Sequence, residues 1–208
     1  MIYPKSNIVY RYILHTYVRW ITARYFHQID YNKIEVDDNR SILLIANHFS
    51  AWDTLVLFYI NRKLFKKRFH TMVLETTMLK EPMLKYGGTF SVNKNSKSLI
   101  QSLSFAAKLV DDPDNLVLIY PQGKLYSNMV SKVVFEKGVI HIMKKASGKF
   151  NLVFATTFIE NFENFKPLAN VHLKTADQQF FTNIDELQNA YQQHYTTARQ
   201  KHTQTVKQ

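Results

Sequence analysis

The stretch Asn47-His48-Phe49-Ser50-Ala51-Trp52-Asp53 brings an imidazole and a carboxylate within five residues of each other. A carboxylate hydrogen-bonded to one imidazole nitrogen fixes the tautomer and stabilises imidazolium. The other nitrogen is then free to take a proton from a hydroxyl. Residues five apart lie roughly 140° apart around an ideal helix, so the two side chains meet only if the chain turns between them. The flanking sequence supplies such a turn. Ser41-Ile42-Leu43-Leu44-Ile45-Ala46 has the length and branching of a buried strand and stops at Asn47-His48, while helix formers run from Trp52 to Asn61. The spacing therefore predicts strand, short loop and helix, with Ser50 as N-cap and His48 at the strand end. A plainer reading stands beside this one. Ser50-Ala51-Trp52-Asp53 also fits a capping box, in which Asp53 only reaches back to the cap and His48 is only solvated.

Two further polar clusters follow strand-like runs. Gly87-Gly88 precedes the short alternating segment Thr89–Val92 and then Lys94, and Pro121-Gln122-Gly123-Lys124 follows the apolar run Asn115–Tyr120. Glycine lets backbone N–H groups approach an anion and lysine adds compensating charge, so these clusters read as a phosphate-binding half beside a proton-taking half. A base acting on a hydroxyl next to a phosphate or polar headgroup points to attack by a substrate alcohol on an activated acyl group. The chain has no cysteine and no Gly-x-Ser-x-Gly elbow, so direct transfer without an acyl-enzyme is expected.

The elements that must position these groups alternate along the chain. Strands are predicted at 41–46, 69–74, 89–92, 115–120, 152–159 and 171–174. Helices are predicted at 52–61, 76–86 with tolerance or a break at Pro82, 96–110, 136–147 and from Asp185 onward. Asp30–Arg40 reads as a lead-in loop or edge strand. Such alternation defines an α/β domain with a central, mostly parallel sheet flanked by helices, and ligands of such sheets sit at strand ends, where Asn47-His48, Lys94 and Gln122-Gly123-Lys124 fall. The expected organisation is an N-terminal interfacial helix over residues 1–30 and an α/β domain over 31–208.

Within that first segment, Ile8, Val9, Tyr12, Ile13, Tyr17, Trp20, Ile21 and Tyr25 are interrupted by Arg11, His15, Arg19 and Arg24. Arg11, His15 and Arg19 recur every four residues, so they share a face, with aromatic and aliphatic groups on the others. That pattern suits a helix lying in a lipid interface. No apolar run reaches the roughly 18–20 residues of a spanning helix, and no cleavage site of a signal peptide follows. With 27 Lys+Arg against 16 Asp+Glu, a net charge of +11 favours anionic partners. The densest basic stretch is Arg62–Phe69. It fits either a solvated helix end or a second contact for a membrane or an acidic carrier protein. The remaining histidines show no metal-ligand spacing with carboxylates, so no metal is expected. Met72, Met78, Met83 and Met143 read as core or as lining of an acyl groove.

On these residues the sequence resembles the glycerolipid acyltransferase family, best known from the lysophosphatidic acid acyltransferases. Asn47–Asp53 matches Asn-His-x-Ser-x-x-Asp, Gly88–Lys94 resembles Gly-x-x-Phe-x-x-Arg with Lys for Arg, and Tyr120–Lys124 resembles the start of Phe-Pro-Glu-Gly-Thr-Arg. The resemblance covers about residues 41 to 160. It implies an acyltransferase dependent on acyl-CoA or acyl-carrier protein, with no cofactor beyond that co-substrate, peripheral to the cytoplasmic face of a membrane with an anionic surface. His48 would be the general base and Asp53 its orienting partner. Gly88, Lys94, Gly123 and Lys124 would face the phosphate or polar head of a lysolipid acceptor, Gln122 would hold the loop, and backbone donors would meet the tetrahedral oxyanion.

Gln122 replaces the family's Glu, and Ala155-Thr156-Thr157-Phe158 lies where the fourth motif usually carries proline. The acceptor therefore stays open among lysophosphatidic acid, another lipid headgroup, an amino-acid lipid and a glycolipid. The competing classes are a catalytically lapsed member and a non-enzymatic basic protein that binds membranes or nucleic acid. The latter leaves the strand-end His-Asp pair and both glycine turns without a purpose, and no nucleic-acid partner is expected.

Overall fold

A computed structural model of the chain describes every residue except 6, 94–97, 178–180, 182 and 206–208. In chain order the elements are α1 (Ile8–Tyr25), β1 (Gln28–Tyr31), β2 (Ile42–Ala46), α2 (Trp52–Lys63), β3 (Arg68–Leu74) and α3 (Glu75–Lys80). A 3₁₀ turn (Pro82–Gly87) follows, then β4 (Thr89–Val92), α4 (Ser98–Val110), β5 (Asn115–Ile119), α5 (Gly138–Lys145), β6 (Asn151–Glu160), β7 (Leu168–Ala176) and α6 (Ile184–Thr203). The strands form one seven-stranded sheet in the order β1-β7-β6-β2-β5-β3-β4. β2 to β6 all run the same way, and β7 turns against β6 and carries β1 parallel to itself. The sheet is thus mixed but mostly parallel, as the alternating pattern predicts.

Alternate side chains of the central strands feed two cores. Ile42 and Leu44 of β2 and Leu116 and Leu118 of β5 pack with Val18 of α1 and Val56, Leu57 and Ile60 of α2. Leu43, Ile45, Val117 and Ile119 pack on the other side with Leu103 of α4, Ile142 of α5 and Tyr191 of α6. Both strands are buried throughout, which explains why they read as unbroken apolar runs. The helix expected over 76–86 is divided. Glu81 sits outside the helical region (φ −122°, ψ 68°) because the ring of Pro82 crowds the residue before it.

The outer face of α1 differs from a simple polar stripe. Arg11 and His15 turn toward α2, where the His15 ring lies 5.3 Å from that of Phe58. Ile8, Val9, Tyr12, Ile13, Tyr17 and Trp20 are exposed, Tyr12 by 75% and Trp20 by 60%. Among the described residues no helix is long and apolar enough to cross a membrane.

Candidate active site

Because β2 is paired on both sides, its end is fixed before the chain leaves the sheet. Asn47 extends that hold. Its buried side chain donates to the Thr157 carbonyl (3.1 Å) and accepts from the Thr157 N–H (2.9 Å), mimicking one more rung with β6. His48 follows immediately, at the C-terminal end of the parallel strands. Its N–H donates to Gln122 Oε1 (2.7 Å) and its carbonyl accepts from the Tyr126 N–H (3.1 Å). The histidine backbone is thereby clamped on both sides by the loop after β5.

Asp53, fully buried in the first turn of α2, places Oδ2 2.9 Å from His48 Nδ1. The same oxygen accepts the N–H groups of Phe49 (2.8 Å) and Ser50 (2.9 Å). The two readings of this stretch are therefore not alternatives, since one carboxylate oxygen both ties the helix start and orients the imidazole. With Oδ2 acting as acceptor, Nδ1 carries the proton, and the Nε2 lone pair is left free on a side chain 21% exposed. The N-cap is Ala51 rather than the expected Ser50, one residue upstream. The Ser50 hydroxyl still accepts from the Trp52 N–H (3.1 Å), so the shift moves the helix boundary without breaking the cap.

Tyr120, at the end of β5, stacks on His48 with ring centroids 3.9 Å apart and planes 12° apart. Its hydroxyl pairs with Thr54 Oγ1 at 3.0 Å. Burial, reinforced by the charge of Asp53, pushes that hydroxyl well above the usual phenol range, so it stays protonated and does not compete with His48 for a substrate proton. Sequence reasoning placed Tyr120 in a motif without giving it a task, and gave Thr54 none. The aromatic residue directly before Pro121 was the available signal.

The other predicted residues are distributed as follows. Gln122 is buried against the His48 backbone, and Gly123 takes a left-handed conformation (φ 65°) that closes the turn through its N–H to the Tyr120 carbonyl (3.1 Å). Lys124 is exposed on the same loop, its ammonium 5.3 Å from the centre of the Tyr126 ring. Lys94 lies outside the described residues. Gly88 is not brought to this group, because it precedes β4 and so sits toward the opposite end of the sheet. Its φ of +88°, and a Cβ that would stand 2.1 Å from the Phe69 carbonyl oxygen, show a glycine required by close strand packing. Among the described residues no cluster of His, Asp and Glu could hold a metal ion.

The arrangement can take a proton from a hydroxyl placed at Nε2. The N–H groups of residues 48, 49, 50 and 123 are already engaged within the fold, so negative charge developing on a substrate carbonyl must be met by other donors.

No curated protein sequence matches the chain. Its fold is similar to the crystal structure of the 1-acyl-sn-glycerophosphate (LPA) acyltransferase PlsC from Thermotoga maritima, with a TM-score of 0.67 and 13% identity over 95% of this chain and 81% of that one. The sequence model of the family described as Acyltransferase matches residues 27–159, from the start of the sheet almost to the end of β6. Since that match takes in more than half of the 208 residues, the chain belongs to the Acyltransferase family and is an acyltransferase.

Proposed function

We propose that the protein transfers a fatty acyl group from the thioester of acyl-CoA or acyl-carrier protein to a hydroxyl of a lysophospholipid or related lipid, at the cytoplasmic face of the membrane, with His48 as general base. The observation that carries this reading is the 2.9 Å bond from His48 Nδ1 to buried Asp53, which leaves Nε2 as the free acceptor. The acceptor hydroxyl gives its proton to Nε2 as its oxygen bonds to the thioester carbonyl carbon. The tetrahedral adduct then collapses with cleavage of the carbon–sulfur bond, and the imidazolium returns the proton to the departing sulfur. Asp53 favours the charged imidazolium between these two transfers.

Lys124 and Lys94 are assigned to the acceptor's phosphate or polar head, while Gln122 and Gly123 act by holding the loop against the His48 backbone. Gly88 shapes the turn before β4 and is left out of this assignment. A lipid acceptor is supported by the exposed aromatic and aliphatic face of α1, which suits a headgroup layer. The likeness in fold to an LPA acyltransferase puts lysophosphatidic acid first in the panel to be tried.

The test is acyl transfer from labelled acyl-CoA and acyl-carrier protein to a panel of lysolipids, with wild type and His48→Ala side by side. Transfer by wild type that falls by about two to four decades in the variant is the expected result. Transfer that survives in His48→Ala, or folded wild type that acylates no acceptor, would overturn the assignment.

A further inference from the structure

The N-terminal end of the parallel strands holds a cleft of about 610 Å³ that the acyl-transfer reading does not use. α1 forms one wall, the end of α2 and the turn after it a second, and the start of β3 the floor. Its cations are Lys5, Arg11, Arg62, Lys66, Lys67 and Arg68. Two of these are occupied by the fold. Lys67 Nζ donates to the carbonyls of Asp38 (2.6 Å) and Pro113 (2.9 Å), and Arg68 pairs with Asp112 (2.6 Å) and Asp114 (3.5 Å). Among the described residues, Lys5, Arg11, Arg62 and Lys66 have no carboxylate partner. The turn that presents Lys66 is rigid. Asn61 binds the Lys67 backbone on both sides (2.9 and 3.3 Å), and Lys66 itself is held in a left-handed conformation (φ 58°) that a residue with a Cβ seldom adopts.

The potential in the cleft leaves a mark on His15. Burial first, then the charges of Arg62 and Arg11, holds its imidazole below the ordinary range. Lys5, Arg11, Arg62 and Lys66, all exposed, gather beside Leu14, Phe58 and Phe69 and repel one another, the lining carboxylate Asp112 being taken up by Arg68, and an anion would relieve that repulsion. Two guanidinium groups and two ammonium groups suit the oxygens of a phosphate.

We propose that this cleft seats the phosphate of an anionic phospholipid headgroup, as a docking site separate from the acyl acceptor. The inference rests on the reading that α1 lies in the membrane interface, and the position of the cleft on that helix favours a lipid over a soluble phosphate. The helix that forms the cleft wall with Arg11 and His15 exposes Val9, Ile13 and Trp20 on its other side, so the cleft lies within one helix diameter, about 10 Å, of the face assigned to lipid. The separation from the chemistry is also set by α2. Asp53 and Arg62 lie nine residues apart on that helix, roughly 14 Å, so a headgroup held here does not present its own hydroxyl to His48.

The test compares the full chain with Arg11→Gln/Arg62→Gln, with Lys144→Gln/Lys145→Gln, which removes equal charge at the end of α5, and with Tyr12→Ser/Trp20→Ser on the exposed face of α1. Binding is measured to vesicles of phosphatidylcholine with and without phosphatidylglycerol. The expected result is that the cleft variant loses about tenfold or more of the preference for phosphatidylglycerol, the α5 variant about twofold or less, and the α1 variant binds both vesicles less well. Transfer to a detergent-dispersed acceptor should be unchanged in the cleft variant.

Equal losses in the cleft and α5 variants would reduce the effect to diffuse attraction and overturn the site. A parallel fall in detergent-based transfer would make the cleft part of the acceptor site and overturn its separateness. Thermal protection of wild type by inorganic pyrophosphate, absent in the cleft variant and without any difference on vesicles, would assign the cleft to a soluble phosphate instead. If wild type binds neither vesicle, or the α1 variant binds as wild type does, the interfacial reading of α1 falls. Normal α1 behaviour with an unchanged phosphatidylglycerol preference in the cleft variant defeats the cleft alone.

Discussion

α2 joins two ends of the molecule that are built on opposite terms. At its N-terminus, His48 and Asp53 are held by at least five hydrogen bonds to neighbouring loops and by the stacked ring of Tyr120. At its C-terminus, Arg62 and Lys66 stand with Arg11 and Lys5 around a cleft, without carboxylate partners among the described residues. A group that must accept a proton at one atom gains from having every other degree of freedom removed. A site that must capture and release an anion gains from charges the fold does not consume. The same helix can serve both because they are needed at different ends.

The largest effect that separates the two ends is expected from Asp53→Asn. The amide oxygen can take the place of Oδ2 and still accept from His48 Nδ1, while the amide nitrogen falls where Oδ1 now has no partner among the described residues. The geometry is kept and the charge that stabilises imidazolium is lost. Turnover should fall by about two to four decades, with vesicle binding unchanged. A variant that loses vesicle binding as well, while remaining folded by circular dichroism, would show that the ends are coupled rather than independent.

Gln122 offers a smaller and sharper cut. Gln122→Leu leaves the His48 N–H buried without an acceptor, which should cost about 1–3 kcal/mol in denaturant unfolding and lower turnover through a looser imidazole. Gln122→Glu retains an oxygen for that bond and should restore turnover relative to Gln122→Leu. Rescue by Glu identifies the residue as a positioning group whose hydrogen bond matters more than its charge. Equal activity of all three forms would remove the clamp from the account.

How much of this was legible depends on sequence distance. β2 and β5 announced themselves as unbroken apolar runs because both their faces are covered, while the sequence left Pro82 open between tolerance and a break, and the structure gives the break. The strand predicted at 171–174 is in fact Leu168–Ala176. The exposed and half-buried positions Asn170, His172 and Lys174 interrupt its apolar pattern and masked its length. The His48–Asp53 pair was visible because only five residues separate its members. The parts that hold it were not, since Asn47 and Thr157 are 110 residues apart and His48 and Gln122 are 74 apart, and no local pattern records such a contact. The orientation of α1 was hidden for another reason. Large apolar groups occur on every side of that helix, so periodicity alone could not tell that Arg11 and His15 face α2 while Tyr12 and Trp20 face out.

The smallest expected effect tests the other end of the comparison directly. His15 is held below the ordinary imidazole range first by burial and then by the like charges of Arg62 and Arg11. A positive neighbour disfavours the protonated ring, so removing one must move the titration upward. In Arg62→Gln the His15 ring resonances, followed by NMR against pH, should therefore titrate higher than in wild type, closer to an unperturbed histidine but still below it because burial persists. A bound phosphate should shift wild type in the same direction and by a larger amount, since it offsets both arginines together. An unmoved titration in Arg62→Gln would mean that the guanidinium spends its time in solvent away from the cleft. The contrast between a fixed end and a charged, open end of α2 would then lose its electrostatic half.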